Sequence, residues 1–210
     1  QPGNRFEQFL HFFRMANHSN HHKLCIVDNH QLWTGSFNIS AQHLGKEQGG
    51  DNWHDYGVRI RDNHLEPIID SFNHLFTRKD FNDKRLYLQK FRSNLTAALR
   101  RISNNLMVRR IRNARKRLWI CNAYFSPSPR VLRAICRARQ KGVDVRIILP
   151  QVSDVFFMPL LSRSYYPKLL DEGVQLYEYL PGILHAKLML IDELCLMGST
   201  NLNHRSFLHD

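Results

Sequence analysis

The stretch His21-His22-Lys23-Leu24-Cys25-Ile26-Val27-Asp28 recurs later in the chain as His185-Ala186-Lys187-Leu188-Met189-Leu190-Ile191-Asp192. The likeness continues past the aspartates. Gly35-Ser36-Phe37-Asn38 follows the first copy and Gly198-Ser199-Thr200-Asn201 the second, with one residue fewer between. A single His-x-Lys-x4-Asp match is a weak signal, whereas two with the same sequel are not chance. The repeat implies two lobes built alike. In each copy an apolar run meets a polar turn, at Asp28-Asn29 or Asp192-Glu193. It then resumes with Leu32-Trp33-Thr34 or Leu194-Cys195-Leu196-Met197, the pattern of a hairpin.

Outward from the first motif, Leu65 to Thr77 sets Ile68, Ile69, Phe72, Leu75 and Phe76 on one helical face, with Pro67 in the first turn. This helix is expected to close the first lobe. The polar stretch from Asp80 to Asn94 reads as the connection, dividing the chain into a first lobe over residues 1–92 and a second over 93–210. The second lobe alternates: a helix over Leu95 to Lys116, a strand over Leu118 to Tyr124 and a turn at Ser126-Pro127-Ser128-Pro129. A helix over Val131 to Lys141 is stopped by Gly142, and a strand over Val143 to Leu149 follows. A helix over Phe156 to Glu172 is stopped by Gly173, and Val174 to Tyr179 makes the next strand. Strands alternating with helices predict an α/β fold, each lobe a mixed sheet flanked by helices.

Thirty Lys and Arg against eighteen Asp and Glu give a net charge of +12, which favours anionic partners: nucleic acid, a phospholipid surface or a phosphorylated substrate. No apolar run approaches the roughly 20 residues that cross a bilayer. The basic run from Arg109 to Arg117 reads as the solvated face of a helix or as an anionic-lipid contact. Cys25, Cys121, Cys136 and Cys195 lack a CxxC pairing and read as reduced, buried small hydrophobes. Trp53, Tyr124, Phe125, Phe156 and Phe157 read as core residues in preference to an acyl-chain entry. The chain opens on Gln1 and ends at Asp210 soon after the second motif, from which a segment of a longer protein is expected.

Residues two apart in a strand share a face, so His21 projects with Lys23 and His185 with Lys187. Each motif thus offers a titratable nitrogen beside a fixed cation. Asp28 and Asp192 fall on the opposite face, at the turn, and read as braces. Ser36 with Asn38, and Ser199 with Asn201, end the return strands close to the His-Lys strand, where their donors reach the same anion. Gly35 and Gly198 are expected to give a phosphate room. A metal would call for several ligands at spacing, and His18, His21, His22 and His30 read as loop histidines with one catalytic member. No metal and no cofactor are expected.

Paired HxKxxxxD motifs followed by GSxN are similar to those of the phospholipase D superfamily, and bacterial cardiolipin synthases look alike in the flanks as well. The flanking matches are Asn52-Trp53-His54-Asp55-Tyr56-Gly57-Val58, Asn122-Ala123-Tyr124-Phe125-Ser126-Pro127, Gly173 to Tyr179, and Asn201-Leu202-Asn203-His204-Arg205-Ser206. The resemblance implies two phospholipase D-like lobes with the active site at their interface, the first incomplete at its N-terminus and the second at its C-terminus. It implies a two-step displacement through a phosphohistidine, with His21 attacking and His185 as general acid and base; the sequence alone allows the reverse. Catalytic roles then fall on His21, Lys23, Asp28, His185, Lys187, Asp192 and Asp55, and phosphate contacts on Ser36, Asn38, Ser199 and Asn201. Asp55 stands where the family places a carboxylate for His21; the acid for His185 is expected beyond Asp210.

By the same resemblance the substrate is an anionic phospholipid, met at a peripheral membrane surface on the cytoplasmic face of the bacterial inner membrane. The reaction is phosphatidyl transfer between phosphatidylglycerol molecules, with phospholipid hydrolysis or a superfamily nuclease acting on nucleic acid as alternatives.

Overall fold

A computed structural model describes residues 23–61, 65–77 and 97–202. His21, the connection over 80–94 and residues 203–206 lie outside the described residues. The first motif forms a hairpin of β1 (Leu24–Val27) and β2 (Gln31–Gly35), in register Cys25 opposite Trp33. Asp28 and Asn29 turn it with φ of 50° and 57°, in the left-handed region that short polar side chains tolerate. β3 (Gly57–Arg61) adds antiparallel to β2, completing a three-stranded sheet. Leu32, wholly buried at its centre, packs with Leu65, just ahead of helix α1 (Glu66–Thr77), and with Ile68 in the helix's first turn. Of the expected face, Ile68 is buried and Ile69 and Phe72 are partly buried, while the side chains of Leu75 and Phe76 lie outside those described.

A five-stranded sheet follows, built from β4 (Arg117–Asn122), β5 (Asp144–Pro150), β6 (Gln175–Tyr179), β7 (Lys187–Ile191) and β8 (Leu194–Met197). The spatial order is β6-β5-β4-β7-β8, with β4, β5 and β6 parallel and the second motif hairpin, β7-β8, antiparallel to β4. Helix α2 (Ala97–Asn113) packs beside α3 (Pro129–Gln140). Ser128 caps α3, its hydroxyl accepting from the N–H of Val131, and Pro129 occupies the first turn, where no N–H is required. The core between sheet and helices is made by Leu118, Ile120, Ile135, Ile147, Leu149 and their neighbours, all nearly inaccessible.

Three expectations change. The single helix over Phe156 to Glu172 is two: α4 (Met158–Arg163) and α5 (Tyr166–Asp171). Pro167 opens the second because it has no N–H to continue the first. Phe156 and Phe157 are exposed, not core; the segment before α4 leaves the sheet instead of lying on it. Cys121 and Cys136 are buried as expected, but Cys25 and Cys195 face outward, the alternation of β1 and β8 pointing them away from the core.

The two sheets meet through backbone. His54 and Leu184 form a parallel bridge in which His54 donates to the carbonyl of Ile183 at 2.8 Å and His185 donates to the carbonyl of His54 at 2.8 Å.

Candidate active site

The bridge brings Asp55, from the loop before β3, beside His185, just ahead of β7. Asp55 Oδ2 lies 2.9 Å from His185 Nδ1, and Ser36 Oγ donates to Asp55 Oδ1. His43 Nδ1 stands 2.8 Å from the same Oδ2, at ion-pair distance but without the alignment of a hydrogen bond. Burial alone would raise the Asp55 carboxyl; the hydrogen bonds from His185 and Ser36 and the charges on His185 and Lys187 outweigh it and hold it below its ordinary value. An ionised Asp55 accepts, so Nδ1 of His185 carries the proton and Nε2 is the nitrogen left for chemistry. Burial lowers His43 below the ordinary imidazole value despite the opposing pull of Asp55.

Lys187, first residue of β7, is buried, and its Nζ donates to the carbonyl of His185. Burial brings it down to about 7, opposed by Asp55 and reinforced by Lys23. Lys23, just before β1, is lowered for the same reason, again opposed by Asp55. The two motif lysines and Asp55 therefore act on one another electrostatically. Tyr124 stands over Lys187, with Nζ 5.8 Å from its ring centre, and 6.2 Å from the His185 ring. Trp53 lies 5.5 Å from His185 and 5.4 Å from His43, so aromatic rings wall His185 off from water. Cys121 is buried, and burial pushes its thiol up to about 12, away from the thiolate form.

The remaining predicted residues divide. Ser36 is buried against Asp55, and Ser199 and Asn201 are half-buried, with Gly198 donating to the carbonyl of Lys187 at 3.4 Å. Asn201 Oδ1 is buried without a hydrogen-bond partner among the described residues. Asn38 is exposed. Asp28 is exposed in its turn. Asp192 follows the far end of β7, where its carboxylate accepts from the N–H groups of Arg115, Lys116 and Arg117 at 3.1, 2.7 and 3.2 Å. It braces the entry to β4, as its strand face suggested.

The bridge delivers Asp55 to His185, for which an acid beyond Asp210 had been expected. Asp55 had been assigned to His21, which lies outside the described residues. Gly35 does not make room for phosphate; a side chain there would strike the carbonyl of Tyr56, Gly57 and the Phe37 ring. Gly198 does have open space around it. Sequence reading missed His43, and took Trp53 for a core residue where it stands beside His185. His43 obeys no spacing rule, and its only signal was its place in the loop between Gly-Ser-x-Asn and Asp55.

His43, Asp55 and His185 offer ligand atoms all within 4.8 Å of one another. Two imidazoles and a carboxylate suit zinc, but Lys23 and Lys187 act on Asp55 with two positive charges, which opposes a divalent cation. The same charges favour an anion.

The family profile described as "Cardiolipin synthase, PLD-like domain" matches residues 107–210. A cardiolipin synthase of Clostridium perfringens is 32% identical over 91% of this chain and 44% of its own length. The minor cardiolipin synthase ClsB of Bacillus subtilis is 32% identical over 95% of this chain and 52% of its own length. The chain thus spans about half the length of these curated relatives. The solved structure of phosphatidylserine synthase from Haemophilus influenzae matches 90% of this chain and 55% of that one, with a TM-score of 0.66 and 14% identity, a likeness of fold alone. With both motifs present and this much of its length matched, the chain belongs to the phospholipase D superfamily and is cardiolipin synthase-like.

Proposed function

We propose that the chain carries the catalytic centre of a phosphatidyltransferase that passes a phosphatidyl group from one phosphatidylglycerol to a hydroxyl of another, releasing glycerol. The observation that carries the proposal is the Asp55–His185 hydrogen bond beside buried Lys187. It supplies a tautomer-fixed proton carrier next to a cation, as phosphodiester displacement requires.

In the first step Nε2 of His21 attacks phosphorus and forms the N–P bond as the P–O bond to glycerol breaks. His185, protonated on both nitrogens and steadied by Asp55, gives its Nε2 proton to the departing oxygen. In the second step His185 takes the proton of the acceptor hydroxyl, whose oxygen displaces His21 from phosphorus. Protons and electron pairs balance over the cycle. Lys23, Lys187, Asn201 and Ser199 offer donors to the phosphoryl oxygens, with Asn38 a further donor at the rim.

An anionic phosphodiester beside Lys187 restores the charge that burial removes. The proposal includes the division into lobes at 1–92 and 93–210 and a peripheral position at the cytoplasmic face of a bacterial inner membrane. No helix among the described residues is long and apolar enough to cross a membrane. The test is thin-layer separation of products from labelled phosphatidylglycerol, beside His21→Ala and His185→Ala. Cardiolipin with glycerol, lost in both variants, is expected; phosphatidic acid would make water the acceptor, and no lipid turnover would direct attention to nucleic acid. A phosphoryl adduct found on His185 and never on His21 would reverse the two roles.

A further inference from the structure

We infer that the loop between β5 and α4, with the first turn of α4 and the residue that follows β6, is a membrane-docking rim that enters the acyl region of a phospholipid bilayer and seats the catalytic edge on it. Val152, Phe156, Phe157, Leu160 and Leu180 are each more than half exposed, Phe156 by 84%. Exposed apolar residues scattered singly carry no message, but clustered ones do. These are clustered by topology. Strands β4, β5 and β6 are parallel, so their C-terminal ends share one edge of the sheet. β7 runs antiparallel to β4, with Lys187 opposite Asn122, so His185 and Lys187 enter at that edge too. Val152 follows the end of β5 and Leu180 the end of β6, and the N–H of Gln151 donates to the carbonyl of Tyr179 at 3.2 Å, holding the two ends together.

The loop is also fastened to the site. The Tyr124 hydroxyl donates to the Asp154 carboxylate at 2.6 Å, and the Tyr124 ring faces His185 and Lys187. The rings of Phe156 and Phe157 meet edge to face at 6.4 Å, a preferred aromatic contact that leaves both outward. Across the site, Ile39 is wholly exposed in a loop whose ends, Ser36 and His43, both touch Asp55.

The occupant follows from the charge and from the substrate, and in this the inference rests on the proposed lipid reaction. A net charge of +12 draws the protein to an anionic surface. A phosphodiester that carries acyl chains can meet His185 without leaving the bilayer only if the edge of the site enters it. Apolar side chains at that edge are what interfacial binding by buried area demands.

The experiment is sedimentation of the purified protein with vesicles of equal phosphatidylglycerol and phosphatidylcholine, beside the triple variant Phe156→Ser, Phe157→Ser, Leu160→Ser. Binding is expected to fall about tenfold or more and the residual apolar component, read in about 1 M salt, to vanish. Turnover of soluble bis(4-nitrophenyl) phosphate should stay within about twofold, because these side chains hold no reacting group. Unchanged vesicle binding overturns the inference, as does equal loss on the soluble ester, which would make the loop part of the site's framework. Light scattering that shows a dimer separated by the same substitutions overturns it in favour of a second copy. Phe156→Trp provides a reading free of folding defects: quenching by bromine-labelled acyl chains beyond that of wild type is expected, and its absence overturns the inference. Should the protein dock through this rim yet turn over no phospholipid, the proposed reaction fails and the docking rim stands.

Discussion

Asp55 Oδ2 accepts from Nδ1 of His185 at 2.9 Å, joining residues 130 positions apart that belong to the loops of two different sheets. The contact fixes one tautomer of the imidazole and leaves a negative charge to meet the positive one that develops when Nε2 takes a second proton.

Asp55→Asn keeps the shape and removes that charge. The amide can turn its NH2 to His185 and so stabilise the opposite tautomer. Turnover should fall on the order of 10³-fold or more while KM changes little, by analogy with the carboxylate-to-amide change in hydrolytic triads. Steady-state kinetics beside an unchanged circular dichroism spectrum checks this; a loss confined to KM would contradict it.

Lys187, brought down to about 7, makes both activity and stability depend on pH. In the free enzyme the charged form is lost as pH rises through about 7, so kcat/KM should carry a falling limb there, and Lys187→Arg should move that limb well upward. The sign for stability is the reverse of a salt-bridged lysine. Folding must carry a buried charge below pH 7, and the penalty relaxes between about 7 and the ordinary lysine value. Lys187→Met should therefore be inactive yet raise the Tm at pH 6, with the gain shrinking toward pH 10. Calorimetry across that window measures it.

Asp192→Ala should act on stability and hardly on chemistry, since its carboxylate holds three N–H groups at the start of β4. A loss of about 1–2 kcal/mol in urea unfolding is expected, typical of removing a charged cap from backbone donors. The backbone hydrogen bond from Lys116, with those from Arg117 and Arg115, lowers its carboxyl against the opposing effect of burial. Its contribution is thus present above the ordinary aspartate value and lost as pH falls through the lower folded one. A substitution that cut turnover severalfold without changing stability would place Asp192 at the site after all.

Gly35→Ala should harm the site from a distance. Its Cβ would press on the Tyr56 carbonyl, one residue from Asp55, and the backbone has to give. A destabilisation of about 1–3 kcal/mol with a turnover loss of about tenfold is expected, whereas Gly198→Ala, in open space, should be mild. Parallel unfolding and kinetic measurements on the two variants separate them.

The hairpins, the alternation of strands and helices and the two lysines were legible because period-two patterning and a repeated motif report directly on local structure. Asp192 as a brace was legible for the same reason: an odd offset along a strand sets the opposite face. The partner of His185 was not. It depends on a bridge between His54 and Leu184 that brings remote loops together, and no local pattern encodes it. His43 was hidden for the same reason. Phe156 and Phe157 were misread because hydrophobicity alone does not say whether a segment lies on a sheet or leaves it, and Gly35 because a missing side chain does not say which neighbour needs the space.

The bridge itself has one more consequence. The joint that aligns Asp55 with His185 is made of main-chain N–H and carbonyl groups, at His54, Ile183 and His185. Every residue type but proline brings the same donors and acceptors. The side chains at 54 and 183 are therefore free to drift without unfastening the seam, so the alignment of the reacting groups is insulated from mutation at its own joint, and proline at 54 is the replacement expected to open it.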